Sequence, residues 1–92
     1  MSTVKIPPVL RSSTGGEKEV PADGSNVGEV LRAVASAHPD TQRQLFQDDG
    51  SLNRYVNVYR NDEDVRVLDG LDTAVGESDT LVILPAMAGG AG

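Results

Sequence analysis

Leu81-Val82-Ile83-Leu84-Pro85-Ala86-Met87-Ala88-Gly89-Gly90-Ala91-Gly92 is the stretch on which the reading of this chain turns. It opens as an apolar, partly β-branched run, the pattern of a buried strand. Pro85 has no N–H to give to a ladder, so the pairing is expected to end there. Beyond it stand small residues and glycines with nothing to anchor in a core. Residues 86–92 are therefore expected to form a flexible Gly-rich C-terminal tail on a domain spanning 1–85. From Pro85 to Gly90 such a tail reaches about 17 Å, at roughly 3.4 Å per residue. A strand carrying a thin glycine tail can deliver a carboxylate into a narrow channel, because glycine has no Cβ to obstruct it. A diglycine alone is equally compatible with a frayed end that has no role, and the rest of the chain has to decide.

Working outward, Thr80–Leu84 is the most apolar of the predicted strands, and in a small mixed sheet it belongs at the centre. Tyr55-Val56-Asn57-Val58-Tyr59 alternates strictly, which predicts a strand with Val56 and Val58 inward and the two tyrosines on the other face. Val65-Arg66-Val67 reads as a further short strand. Near the start, Val4, Ile6 and Val9-Leu10 predict a first strand interrupted at Pro7-Pro8, and Ser12-Ser13-Thr14-Gly15-Gly16 a turn into a second strand over 17–20. Pro21-Ala22-Asp23-Gly24 then leads out as a loop. Val27, Val30, Leu31, Val34 and Ala35 fall on one helical stripe behind Asn26, a capping residue with Glu29 three positions on. His38-Pro39 stops that helix, and a short second helix is expected over 40–46 with Leu45 and Phe46 inward. The order ββαββ, with the last strand late and apolar, requires the one main helix to cover one face of the sheet. The predicted class is α+β: a β-grasp, ubiquitin-like fold with a mixed four- to five-stranded sheet.

Composition excludes several functions. The chain of 92 residues has no cysteine, so disulfides, thiolate metal sites and a thiol nucleophile are ruled out. Fourteen acidic residues against eight basic ones, a net charge of −6, argue against nucleic acid. No apolar run spans a membrane and no signal-peptide pattern opens the chain, so a cytoplasmic protein without membrane attachment is expected. His38 is the only histidine and has no obvious partner as a base or ligand; its reading is structural. The carboxylates from Asp62 to Asp79 lack the offsets of a calcium loop and read as turn residues. Ser12–Gly16 lacks the ending of a phosphate-binding loop. With no nucleophile and base to pair, the domain is not expected to be an enzyme or to bind a cofactor or metal itself. One alternate set of residues 81–84 faces the helix. The other, with Tyr55 and Tyr59, is expected to form an outward apolar partner surface unless the segment 40–52 covers it.

Several stretches together resemble the MoaD/ThiS family of ubiquitin-like sulfur carriers, in particular its cysteine-biosynthetic members. They are Ile6-Pro7, Leu10-Arg11 to Gly16, Arg54 to Arg66, Gly70 to Val75, and Ile83 to Gly90. The resemblance implies that Gly89 and Gly90 carry the chemistry. An ATP-dependent adenylating, sulfurylating enzyme would convert the terminal glycine carboxylate to an acyl-adenylate and then a thiocarboxylate. A sulfur-accepting synthase, of cysteine synthase or thiazole synthase type, would consume it. ATP and, for a cysteine synthase, pyridoxal phosphate belong to those partners. Leu84 and Met87 become contact residues on the partner face. Family members ready for activation end at the second glycine, whereas Ala91-Gly92 follow here, so trimming after Gly90 by a JAMM-type metalloprotease is expected. A ubiquitin-like modifier conjugated through its C-terminal glycine, and the small subunit of molybdopterin synthase, are the alternatives.

Overall fold

The computed structural model describes residues 2–85, and its sheet is built around the strand singled out above. In chain order the elements are β1 (Ser2–Lys5), β2 (Glu19–Ala22), α1 (Val27–Ala37), α2 (Gln42–Leu45), β3 (Val56–Arg60), β4 (Glu63–Asp64) and β5 (Thr80–Pro85). The strands lie in the order β2-β1-β5-β3-β4. β5 is thus central, parallel to β1 and antiparallel to β3. The tail residues 86–92, with Met87, Gly89, Gly90, Ala91 and Gly92, lie outside the described residues.

The period-two pattern of β5 divides it between two faces. Leu81 and Ile83 are fully buried, as are Val4 and Val58 on its two neighbours. Against them packs the α1 stripe, Val27, Val30, Leu31 and Val34, each without exposed surface. Leu45 and Phe46 complete the same core from the helical side. The segment 40–52 therefore contributes to the helix layer, and the outer sheet face keeps Leu84 exposed, with Tyr55 exposed in the turn before β3.

α1 starts as its sequence requires. The Asn26 side chain accepts the Glu29 N–H at 2.8 Å. The Glu29 carboxylate reaches back to Ser25, accepting its N–H and its hydroxyl at 2.8 Å each. The capping box is thus closed one residue earlier than a strict box would close it. Asn26→Ala is expected to cost about 1 kcal/mol, read as a lower urea midpoint at unchanged slope.

Three expected strands are corrected. Pro8–Thr14 is a 3-10 helix, so Val9 and Leu10 do not extend the first strand; Leu10 is buried and Val9 is 62% exposed. Pro8 presets the first turn, and Gly15 at φ 66 ends it with a backbone conformation that a Cβ would oppose. Strand two lies later than expected, over Glu19–Ala22, with Pro21 tolerated because β2 is an edge strand. Val65–Val67 is a 3-10 turn: the Asp64 carboxylate accepts the Arg66 N–H at 2.9 Å, and only Glu63–Asp64 pairs with β3. Asn61 and Asp62, both at positive φ, make the tight turn between those strands.

Two prolines set where the central ladder stops. The Ile6 N–H goes to Lys18 in the β2 direction and the Thr3 N–H to Asp79 at the start of β5. Odd residues of this segment therefore face β5, and Pro7 is odd with no N–H to donate. Pairing with β5 ends at Lys5↔Val82. On the other side the pairing runs as far as Val56↔Pro85, so Pro85 is the last residue of β5.

The other end of β5 is fixed by Asp79. Its carboxylate accepts the Gly76 N–H at 2.8 Å and the Asn61 side-chain amide at 2.8 Å. These bonds favour the ionised form, the Gly76 N–H most, and hold the acid below its ordinary value. A depressed folded-state value means stability present above the unfolded pKa and lost as pH falls through the folded one. Asp79→Asn should therefore flatten the acid limb of the stability curve below about pH 4 and leave the neutral plateau shape unchanged, as followed by thermal melts across pH.

Candidate functional site

The second alternate set of β5, Val82 and Leu84, points away from α1. Register places Tyr59 beside Val82 and Asn57 beside Leu84 on β3, and Lys5 beside Val82 on β1. Leu84 is 42% and Tyr55 59% exposed, while Val82 and Tyr59 are half-buried. Tyr55 precedes β3, so it stands alongside the point where the chain leaves Pro85. Of the expected partner residues, Leu84 and Tyr59 thus share one face of the sheet, Tyr55 stands exposed in the turn that leads into β3, and Met87 falls outside the described residues.

Polar groups hold this surface in place. The Arg66 guanidinium donates to the Asn57 side-chain oxygen and to the Asn53 carbonyl, at 2.8 Å each. It ties the 3-10 turn after β4 to the start of β3. The Arg54 guanidinium lies 5.8 Å from the centre of the Tyr55 ring, within cation–π reach. Next to Leu84 a groove of about 280 Å³ runs between β5 and the 3-10 helix, bordered by Lys5, Pro8, Arg11, Leu84 and Pro85. Arg11 is anchored by its Nε, which donates to the Ile6 carbonyl at 3.2 Å.

Lys5, Pro8, Arg11, Arg54 and Arg66 also border this candidate surface, and the sequence reading did not single them out as contact residues. Lys5 had a usable signal, because it continues the outward alternation of β1. The others come from three separate segments, and no local pattern joins them.

Among the described residues, no group of three or more His, Cys, Asp or Glu is placed to hold a metal ion. No helix among them is long and apolar enough to cross a membrane. His38 sits at the end of α1, and its carbonyl accepts the Thr41 hydroxyl at 2.7 Å. The face offers contact area, fixed cations and a nearby chain exit.

Comparison with known proteins gives this geometry a context. Residues 4–90 match the ThiS family. The sulfur carrier protein CysO of Mycobacterium tuberculosis is 44% identical over 90 residues, covering 96% of this chain and 97% of that one. The small archaeal modifier protein 1 of Haloferax volcanii is 40% identical over 72 residues, covering 77% and 78%. Among solved structures, the Amycolatopsis orientalis BexX/CysO complex contains a chain that superimposes with a TM-score of 0.89 at 48% identity, covering 96% of this chain and 98% of that one. The crystal structure of Mycobacterium tuberculosis CysO gives 0.87 at 42% identity, covering 94% and 99%.

Proposed function

Because the chain belongs to the ThiS family, we propose that it is a sulfur carrier, charged as a thiocarboxylate on Gly90 and free of catalytic activity of its own. The observation that carries this reading is the extent of the family match, which runs from the first strand through to the second glycine of the diglycine. The chemistry follows from the weakness of a carboxylate as an electrophile. One carboxylate oxygen attacks the α-phosphorus of ATP and pyrophosphate leaves, giving a mixed anhydride. Sulfide, or a sulfur donor equivalent to it, attacks the acyl carbon. AMP departs with the bonding electrons, and the thiocarboxylate remains. All catalytic groups and ATP belong to an adenylating enzyme, which docks on Leu84, Tyr55 and Tyr59 and takes the tail with Met87 into its site. A synthase of cysteine or thiazole type, the former with pyridoxal phosphate, consumes the sulfur. We assign the reaction to the cytoplasm, where ATP is at hand.

Residues 91 and 92 stand in the way of that step, and a metalloprotease of JAMM type is the proposed remover. The test uses the protein from its own cells. Intact-mass analysis should find a chain ending at Gly90, part of it heavier by the exchange of one oxygen for sulfur. Sulfur on a chain that still carries Gly92 would refute the trimming step. A second reading, a modifier joined to lysines of other proteins, is favoured by the 40% identity to the small archaeal modifier protein. Immunoblots showing a ladder of higher-mass adducts would support it.

A further inference from the structure

Among the described residues, no strand borders the outer side of β2 or of β4, so each end of the sheet shows backbone groups that a further strand could pair with. At the β4 end little is on show. Only Glu63 and Asp64 pair with β3 before the chain enters the 3-10 turn Val65–Val67, and both are acidic, so the same edge of a second copy would meet like charge. β2 is longer. It runs over Glu19–Ala22, with Val20 and Ala22 buried and Glu19 and Pro21 exposed. A bare edge of that length is a template for another strand.

The register decides which groups of β2 face outward. The Ile6 N–H donates to the Lys18 carbonyl at 2.8 Å, and the antiparallel pairs that follow are Lys5↔Glu19, Val4↔Val20, Thr3↔Pro21 and Ser2↔Ala22. Hydrogen-bonded and non-bonded pairs alternate along such a ladder. Val20 and Ala22 therefore bond inward to β1, while Glu19 and Pro21 turn their backbone groups to the free side. Residue 21 is one whose N–H would point outward, and proline has none. The fold loses no bond by this. A proline at 20 or 22 would instead have removed a donor from the ladder with β1. At 21 the ring carbon on the nitrogen fills the space from which an acceptor would approach.

We propose that Pro21 bars the free edge of β2 to strand addition, and that the strand it excludes is β2 of a second copy. Two such edges meeting antiparallel about a twofold axis at Val20 would set Glu19 of each copy opposite residue 21 of the other. The two copies of Val20 would then lie on the same face, so the inward alternation of one sheet would continue into the next. Each Glu19 N–H could reach the carbonyl of residue 21. The return bond, from an N–H at 21 to the Glu19 carbonyl, cannot form, and half of the ladder is missing. This holds whether or not the chain carries sulfur.

Sedimentation of the full chain tests it. Pro21→Thr restores the donor with a strand-forming residue. It should associate at least about tenfold more strongly than the parent and form a dimer near about 0.1 mM, where the parent should remain a monomer. Adding Glu19→Pro to Pro21→Thr removes the other outward donor, leaves the ladder to β1 untouched, and should return the monomer. A Pro21→Thr chain still monomeric at about 1 mM overturns the proposal. A dimer that survives the added Glu19→Pro forms elsewhere and overturns it as well, as does a parent dimer that Glu19→Pro dissolves. Circular dichroism shows whether each variant folds, and amide hydrogen exchange on the parent decides the matter if one does not. The Glu19 N–H should exchange at least about a hundredfold faster than the Val20 N–H, which bonds to β1. Equal protection of the two would mean that the edge is already covered, contrary to the proposal.

Discussion

A chain that stops at Ala88 is expected to fold normally and to accept no sulfur at all. Among the described residues the core runs from Val4 to Ile83, and the two glycines carry no side chain to add to it. Removing the diglycine therefore leaves the domain's buried apolar surface intact, and its thermal midpoint should match that of the chain ending at Gly90. What disappears is the reacting carbonyl. An enzyme that activates a chain end must hold its terminal atoms within bonding reach of ATP, and a misplacement of about 1 Å already costs on the order of a hundredfold. Two missing residues shorten the reach by about 7 Å, at roughly 3.4 Å each. The measurement is intact mass after incubation with the adenylating enzyme, ATP and a sulfide source. Full sulfur loading of the shortened chain would refute Gly90 as the carrier atom's residue. Gly90→Ala is the milder variant: it keeps the length, adds a Cβ in the channel, and should slow loading without abolishing it.

The second large effect is on stability. Leu81→Ala should cost about 2–5 kcal/mol, because it removes a fully buried side chain from the strand with neighbours on both sides and α1 above. A domain of this size has about 5–14 kcal/mol to lose. The variant should therefore show a much lower urea midpoint, with a substantial unfolded fraction well below the denaturant needed for the parent. Leu84→Ala, three residues along the same strand, provides the contrast. Leu84 is 42% exposed on the outer face, so the change should stay within about 0.5 kcal/mol while KM for the carrier rises. If both substitutions destabilised equally, the division of β5 into a core set and a contact set would be wrong.

The parts of the fold that were legible are those where one physical signal spans many residues. α1 has a cap, an apolar stripe and a stop, and these agree. β5 has a run of apolar residues that only a central, doubly flanked strand can bury. Of the three corrected strands, β2 was only displaced in sequence; the two stretches read as strand that are 3-10 helix are short, and tertiary or capping interactions decide them. Val9-Leu10 and Val65–Val67 both carry β-branched or apolar residues, yet Pro8 and the Asp64 side chain each nucleate a 3-10 turn there. In windows of two or three residues such local bonds outweigh strand propensity. For the candidate face, alternation along β3 and β5 was enough to turn Tyr59 outward, whereas Leu84 was singled out by the family resemblance. The cations were not legible, because Lys5, Arg11, Arg54 and Arg66 meet only through a sheet order that joins distant segments.

That sheet order has a consequence for biosynthesis. β5 is the last strand of the domain to leave the ribosome, and it is the one against which β1 and β3 must align. Until it emerges, those strands have no shared neighbour and the α1 stripe has no floor, so the domain can close only after nearly all of it has been made. An enzyme that gripped the outer face of β5 would therefore read only chains synthesised to the end of the domain, because unfinished or frameshifted ones lack that surface.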